Sequence, residues 1–378
     1  MPCLSVRSGF DLLLDSLRLP PESEILVSAI TIPDMVRIIE YHGLVPIPID
    51  LDVNTMGPNV VNMRRAVSSK TRAIITTHLM GGRSAMEPIL QVAREHDLMV
   101  IEDCAQAFDG KSWGHPEADV SMFSFGPIKT ATALGGALLW LSNKSLLDAM
   151  RLRQMTYPVQ RRSTYLCRLL KYAALKLFSS QHIFGVIVWL LAQMGCDYDR
   201  IVNGLVRGFA GQEFFKRIRQ QPSAPLLTVL WRRLQTYDID RLYQRAAKGR
   251  LLLRWLTGRI ICPGQTVKQH SFWVFPVLVN DPATVIVLLR GSGFDATQGH
   301  SMCTVPPPVG RPDGGAQAAS EILARTVYLP IYPEMPDLVM QEMAKVVLSA
   351  ADTPKIMLRG DLATRITKDE AVSLPSHP

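Results

Sequence analysis

Two side chains stand out for the chemistry they could share. Residues 100–106 read Val-Ile-Glu-Asp-Cys-Ala-Gln and place Asp103 at the carboxyl end of a short apolar strand. Residues 122–129 read Met-Phe-Ser-Phe-Gly-Pro-Ile-Lys, with Ser124 closing a second such strand and Lys129 five residues later. Ligands of open α/β sheets bind outside the carboxyl ends of the strands. A lysine amine there can condense with an aldehyde cofactor, and a carboxylate on a neighbouring strand end can pair with a protonated pyridine nitrogen. That pair is what pyridoxal phosphate chemistry needs. The carboxylate keeps the ring nitrogen protonated, so that the ring accepts electrons from a substrate α-carbon. The released lysine amine then moves the proton. Taken singly, a lysine is usually solvated and an aspartate often caps a helix; the joint arrangement carries the reading.

The elements that must position these groups are legible upstream. Strands are expected at 24–29, 45–49, 73–77, 98–101, 121–125 and 136–140, with helices at 33–41, 60–66 and 86–96. Short apolar strands between amphipathic helices imply a largely parallel sheet covered on both faces. From about residue 151 this rhythm stops. Residues 151–220 are basic and helix-like, and helices are expected at 226–233 and 239–255. An apolar, aromatic strand at 271–279 opens a second α/β unit, continued by a helix at 282–290, a strand at 326–329 and a helix at 337–349.

Composition sets the frame. The chain has 378 residues, 47% of them apolar, and a mean hydropathy of +0.12. That excludes a disordered or collagen-like chain and provides for about two domains. Cys3, Cys104, Cys167, Cys196, Cys262 and Cys303 form no Cys-x-x-Cys pair, so neither a zinc pattern nor a disulfide framework is expected. A reducing, cytoplasmic compartment is the simple reading.

The central block resembles the DegT/DnrJ/EryC1/StrS aminotransferases, the pyridoxal phosphate-dependent sugar aminotransferases of fold type I. Their Glu-Asp-x-Ala-[Gln/His], Ser-Phe-x-x-x-Lys and Gly-Gly signatures stand here as residues 102–106, 124–129 and 135–136. Residues 45–52, 71–81 and 327–333 resemble further family segments. The resemblance implies a large domain with a mainly parallel mixed sheet and a smaller C-terminal α/β domain. It makes Lys129 the lysine joined to the cofactor and Asp103 the partner of the ring nitrogen. It sets Gln106 beside the ring oxygen, Ala105 on one ring face and Ser124 at the phosphate. His78 falls in a family strand-end block without an assigned role, and also suits a structural position.

Departures from the family pattern accompany the match. The family's phosphate turn aligns with Ser5-Val-Arg-Ser-Gly9. Ser8 and Gly9 suit a turn before a helix whose amides favour an anion. Arg7 either grips phosphate through a charge-assisted fork or is exposed. Ile32 stands where an aromatic often stacks on the ring; it can cover the ring but without stacking. The chain starts four residues before this turn, which leaves the substrate pocket open to question. The loop at 293–308 offers His300 as a substrate-facing group.

The domain expectation is a cofactor domain at 1–245 containing the basic insert at 151–220, a small domain at 246–358, and a flexible tail at 359–378. Residues 151–219 hold 12 Lys+Arg and three acids, a net +9 within a chain whose total is +8. The rest of the chain is therefore near neutral. A basic amphipathic stretch at 166–178 adjoins residues 177–196, which carry no charge. Peripheral membrane contact through 160–218 fits this pattern, and so does a helical insert packed within a dimer. Aromatics are not interleaved for base stacking, which argues against nucleic acid.

The expected function is transfer of an amino group from an amino acid, glutamate by family habit, to a keto-sugar nucleotide. It would serve polysaccharide, lipopolysaccharide or secondary-metabolite assembly, in a homodimer with no metal. Family dehydratases replace the lysine, so Lys129 argues against that branch. A membrane-associated scaffold or regulator is the alternative of another class.

Overall fold

The computed structural model describes residues 1–178, 213–299, 301–311 and 315–352. Its first half holds strands β1 (Pro2–Cys3), β2 (Glu24–Ser28), β3 (Ile30–Thr31), β4 (Val45–Ile49), β5 (Thr71–Thr77), β6 (Met99–Asp103), β7 (Val120–Ser124) and β8 (Ala137–Leu141). Helices α1 (Val6–Leu17), α2 (Pro33–Tyr41), α3 (Val60–Ala66) and α4 (Glu87–His96) alternate with them. The seven-stranded sheet runs β1-β8-β7-β6-β5-β2-β4. The five strands from β4 to β7 are parallel, while β8 and β1 return antiparallel. All five residues of β2 are buried. This is why its sequence is an apolar run rather than an alternation.

Local signals start the helices. The Ser5 hydroxyl accepts the Ser8 amide at 3.1 Å and caps α1. Pro33 opens α2 at a position where a missing N–H costs nothing. One side of the sheet is covered by α1 and α2, through Phe10, Leu13, Ile38 and Ile39. The other is covered by α3 and α4, through Met63, Ile89 and Val92. Each fully buried Phe or Leu stabilises by roughly 1.5–3 kcal/mol.

The second half continues with α5 (Lys144–Met155), α6 (Arg162–Phe178), α7 (Phe214–Ile218), α8 (Ala224–Gln235) and α9 (Ile239–Leu256). It ends with β9 (Phe275–Leu278), α10 (Pro282–Gly291), β10 (Cys303–Thr304), α11 (Gln317–Arg325), β11 (Thr326–Leu329) and α12 (Asp337–Asp352). β9 and β11 pair antiparallel, and Leu252, Val277, Leu289, Val327 and Met343 form a separate core with them. β10 pairs with β3, setting Cys303 opposite Thr31.

Three expectations change. The strand at 271–279 shrinks to Phe275–Leu278, because Phe272 takes a left-handed backbone (φ 46°) that a strand cannot continue. Ser8 and Gly9 lie inside α1, not in a turn before it, since Ser5 is already the cap. The basic segment is not a separable insert at its edges. α5 begins at Lys144, and Phe214 and Ile218 of α7 are fully buried in the main core. Residues 179–212, His300 and the tail 359–378 lie outside the described residues. Among the described residues, no helix is long and apolar enough to cross a membrane.

Candidate active site

Parallel register brings the strand ends together. Thr77 at the end of β5 pairs with Asp103 at the end of β6, and Asp103 pairs with Met122 in β7. His78, Asp103 and Ser124 therefore stand at one edge of the sheet.

Asp103 is buried and accepts the Ala105 amide at Oδ1, 2.9 Å. Burial pushes its carboxyl up; the Ala105 amide and the positive charges of Lys129 and Arg7 oppose this. Lys129 ends a tight turn, its amide donating to Gly126 O at 3.1 Å. The loop behind it closes on Phe125, whose carbonyl accepts from Ala133 and Gly135 and whose amide donates to Gly136 O, each at 3.0 Å. The Lys129 ammonium lies 4.4 Å from the centroid of the Trp273 ring, and the Trp273 indole N–H donates to Ile128 O at 2.9 Å. Burial lowers the Lys129 amine to about 8, with Asp103 opposing and Arg7 adding to the shift. A lysine so placed is neutral often enough to attack a carbonyl near neutral pH.

The other sequence-derived residues divide. Arg7 is half-buried and donates through Nε to Asp34 at 2.5 Å. It is thus neither free at the surface nor remote, since its charge is felt at both Asp103 and Lys129. Ser8 shares a 2.9 Å hydrogen bond with Ser5. The Gly9 amide is spent on Ser5 O at 3.0 Å, inside the helix. Its lack of a side chain serves packing instead, because a Cβ would stand 2.5 Å from Leu139. Ile32 and Ala105 are partly buried against the same core. Gln106 accepts the amide of Met80 at 2.7 Å, holding that residue in a left-handed conformation (φ 59°), and directs its amino group to Met302 Sδ at 3.6 Å.

His78 is structural. One ring nitrogen accepts the Ser84 amide at 3.1 Å, so the other carries the proton and donates to Glu102 at 2.6 Å. Glu102 also accepts the His115 amide at 2.7 Å and the Ser121 hydroxyl at 2.9 Å. Burial pushes Glu102 up, but these bonds outweigh it and hold it at about 2. The donor atoms of His78, Glu102 and Cys104 lie within 4.8 Å of one another. Both His78 nitrogens are nevertheless occupied, and burial keeps the Cys104 thiol protonated. The trio is a hydrogen-bonded network, not a ligand set.

Sequence reading passed over Asp34, Trp273, Tyr165 and Arg168. Tyr165 donates its hydroxyl to Ala133 O at 2.8 Å and Arg168 donates to Leu134 O at 3.2 Å, so α6 clamps the loop that carries Lys129. Their periodicity reads equally well as an amphipathic face. Trp273 reads as a strand core residue, and only the fold brings it to the lysine.

The sheet order, the strand-end carboxylate and the loop-borne lysine define a fold-type I transferase framework. Residues 3–169 match the model of the DegT/DnrJ/EryC1/StrS aminotransferase family. It is 37% identical over 128 residues to GDP-perosamine synthase of Escherichia coli O157:H7, covering 33% of this chain and 35% of that protein. It is 32% identical over 136 residues to UDP-N-acetyl-3-dehydro-α-D-glucosamine 3-aminotransferase of Acidithiobacillus ferrooxidans, covering 35% and 37%. The matched region thus spans little more than a third of these relatives. In fold, a DegT/DnrJ/EryC1/StrS aminotransferase from Brucella abortus superposes with a TM-score of 0.66 at 15% identity, over 93% of this chain and 86% of that one.

The residues present fit pyridoxal phosphate. A buried carboxylate with one oxygen bonded to a backbone amide, a lysine brought to about 8 and an arginine whose charge reaches both suit its three functional groups.

Proposed function

We propose that the chain is a pyridoxal phosphate-dependent aminotransferase that moves an amino group from an amino acid, glutamate first among candidates, to a keto-sugar nucleotide. The observation that carries this reading is the convergence of buried Asp103 and the depressed Lys129 amine at one strand edge. The names of the two relatives support a sugar nucleotide as the acceptor.

In this reading Asp103 holds a proton on the ring nitrogen. Arg7, Ser8 and Ser124 bind the phosphate, and the α1 N-terminus adds its first amides. Ala105 and Ile32 cover the ring faces, and Gln106 stands beside its oxygen. When bound, the cofactor supplies an electron sink for breaking the bond to the substrate α-hydrogen. Lys129 takes that proton from the α-carbon as a neutral amine and returns it. The Trp273 ring shields the amine from water and, through Ile128, fixes the turn that aims it. A homodimer is part of the proposal and is measured by light scattering.

The discriminating experiment is a screen of keto-sugar nucleotides with glutamate, read by product mass. A mass gain matching replacement of a keto oxygen by an amino group is expected, absent in Lys129→Ala. Turnover of a keto-sugar nucleotide without incorporation of nitrogen would contradict the reading.

A further inference from the structure

A cavity of about 360 Å³ opens on the C-terminal side of the lysine loop. Thr130 and Ala131, the two residues after Lys129, line it, but Lys129 and Asp103 do not. It is a different place from the strand-edge site. Its opposite wall comes from α8, α9 and the segment after β11.

That wall is rich in cation. Arg233 lies in the last turn of α8, and Arg241 and Arg245 follow on α9. The Arg233 side chain is exposed and makes no hydrogen bond or ion pair among the described residues. Arg245 donates through Nε to Ser271 O at 3.0 Å, while its Nη2 is buried and unpartnered. Arg241 pairs with Glu334 outside the cavity. Asp238 also lines the wall, but its Oδ1 is engaged by the Arg241 amide at 2.9 Å as the cap of α9. A buried guanidinium nitrogen with no acceptor is costly. Burial and the nearby Arg241 both lower the Arg245 guanidinium, which an anion would reverse. Tyr237 and Tyr332 add aromatic surface, and Thr130 a hydroxyl.

We infer that this cavity is a second, non-catalytic binding site for a phosphorylated ligand. The guanidinium forks of Arg233 and Arg245 would grip the phosphoryl oxygens, and a planar body would lie against Tyr332. Forked arginines with an adjacent aromatic match phosphate and a flat ring better than a carboxylate alone. The volume lies within the range of small-molecule sites. A ligand there would bear on Thr130, next to the lysine. The inference does not depend on the aminotransferase reading, since it concerns binding alone.

The test is isothermal titration of the full chain in saturating pyridoxal phosphate, which fills the strand-edge phosphate site, at fixed low salt, with uridine diphosphate, pyrophosphate and inorganic phosphate. Wild type is expected to bind at least one of them with micromolar Kd. Arg233→Gln, an exposed substitution that leaves packing intact, should weaken binding about tenfold or more. Lys129→Ala should leave it unchanged. Inorganic phosphate binding as tightly as uridine diphosphate assigns free phosphate; a marked preference for uridine diphosphate assigns a nucleotide; both uphold the site. Absence of binding at millimolar concentration overturns it. So does binding that survives Arg233→Gln, or that is lost in Lys129→Ala.

Discussion

At the scale of single residues, the site works through what burial does to two opposite charges. Lys129 loses hydration and comes down to about 8, while Asp103 is pushed up. Only the neutral amine attacks a carbonyl, so capture of pyridoxal phosphate by the free protein should quicken as pH rises and level off above about 8. Asp103 raises the lysine value by favouring the ammonium, so Asp103→Asn should move that midpoint to lower pH. Stopped-flow capture rates across roughly pH 6–10 check both. An unchanged midpoint in Asp103→Asn would mean that the two groups are not coupled. The strand-end positions of Asp103 and Ser124 were legible in the sequence because strand ends are written as apolar runs closed by polar residues. Trp273 was not, because nothing local ties residue 273 to residue 128. The part played by Gly9 was misread for a related reason: its neighbour Leu139 is 130 positions away in sequence and adjacent only in the fold.

At the scale of elements, the lysine loop is held from three sides. Tyr165 and Arg168 of α6 bond its carbonyls, Trp273 bonds Ile128, and Leu226 and Leu230 of α8 pack on Gly135 and Gly136. Gly136 has φ 88°, where a side chain is strained. Gly136→Ala should cost about 1–2 kcal/mol for the left-handed backbone alone and lower kcat more than it raises KM. Tyr165→Phe, which leaves the Ala133 carbonyl without its buried donor, should cost about 1–3 kcal/mol. Thermal melts and steady-state kinetics measure these. Loss of stability with unaltered kcat would show that α6 does not position the lysine. The helices α2 and α3 and the strands β4 and β11 were readable from periodicity and punctuation to the residue. β1, β3 and β10 were not, since two residues carry no period.

At the scale of the whole molecule, the uneven charge takes on a different meaning. The net +9 of residues 151–219 sits in the flanks, because the 34 residues between them contain two arginines and two aspartates. Much of the flank charge is spent internally. Arg153 pairs with Asp15, Arg168 holds the lysine loop, and Arg219 pairs at 2.8 and 2.9 Å with Asp11, which is 0% exposed. This favours the internal role for the described part of the segment over a membrane-facing one. Arg219→Gln would strand Asp11 as a buried charge, bonded then to His42 alone, at a cost of about 3–5 kcal/mol. A melt should show that loss, with vesicle sedimentation unchanged; the reverse result would return the segment to a lipid surface.

Acid should act on the whole fold through Glu102. Its folded value, about 2, lies below its usual 4.5. The stability it contributes is therefore present above 4.5 and is lost as pH falls toward 2. Melts should fall more steeply over that interval in wild type than in Glu102→Gln; equal slopes would place the acid sensitivity elsewhere.

The central claim is that Lys129 and Asp103 form one cofactor-holding centre. The most direct measurement is visible absorbance of the purified chain after incubation with pyridoxal phosphate and gel filtration. Wild type should retain a visible band at one cofactor per chain, and Lys129→Ala should lose it while keeping its fold by circular dichroism. A wild-type protein that stays colourless, or a Lys129→Ala protein that keeps the same band, would contradict the account.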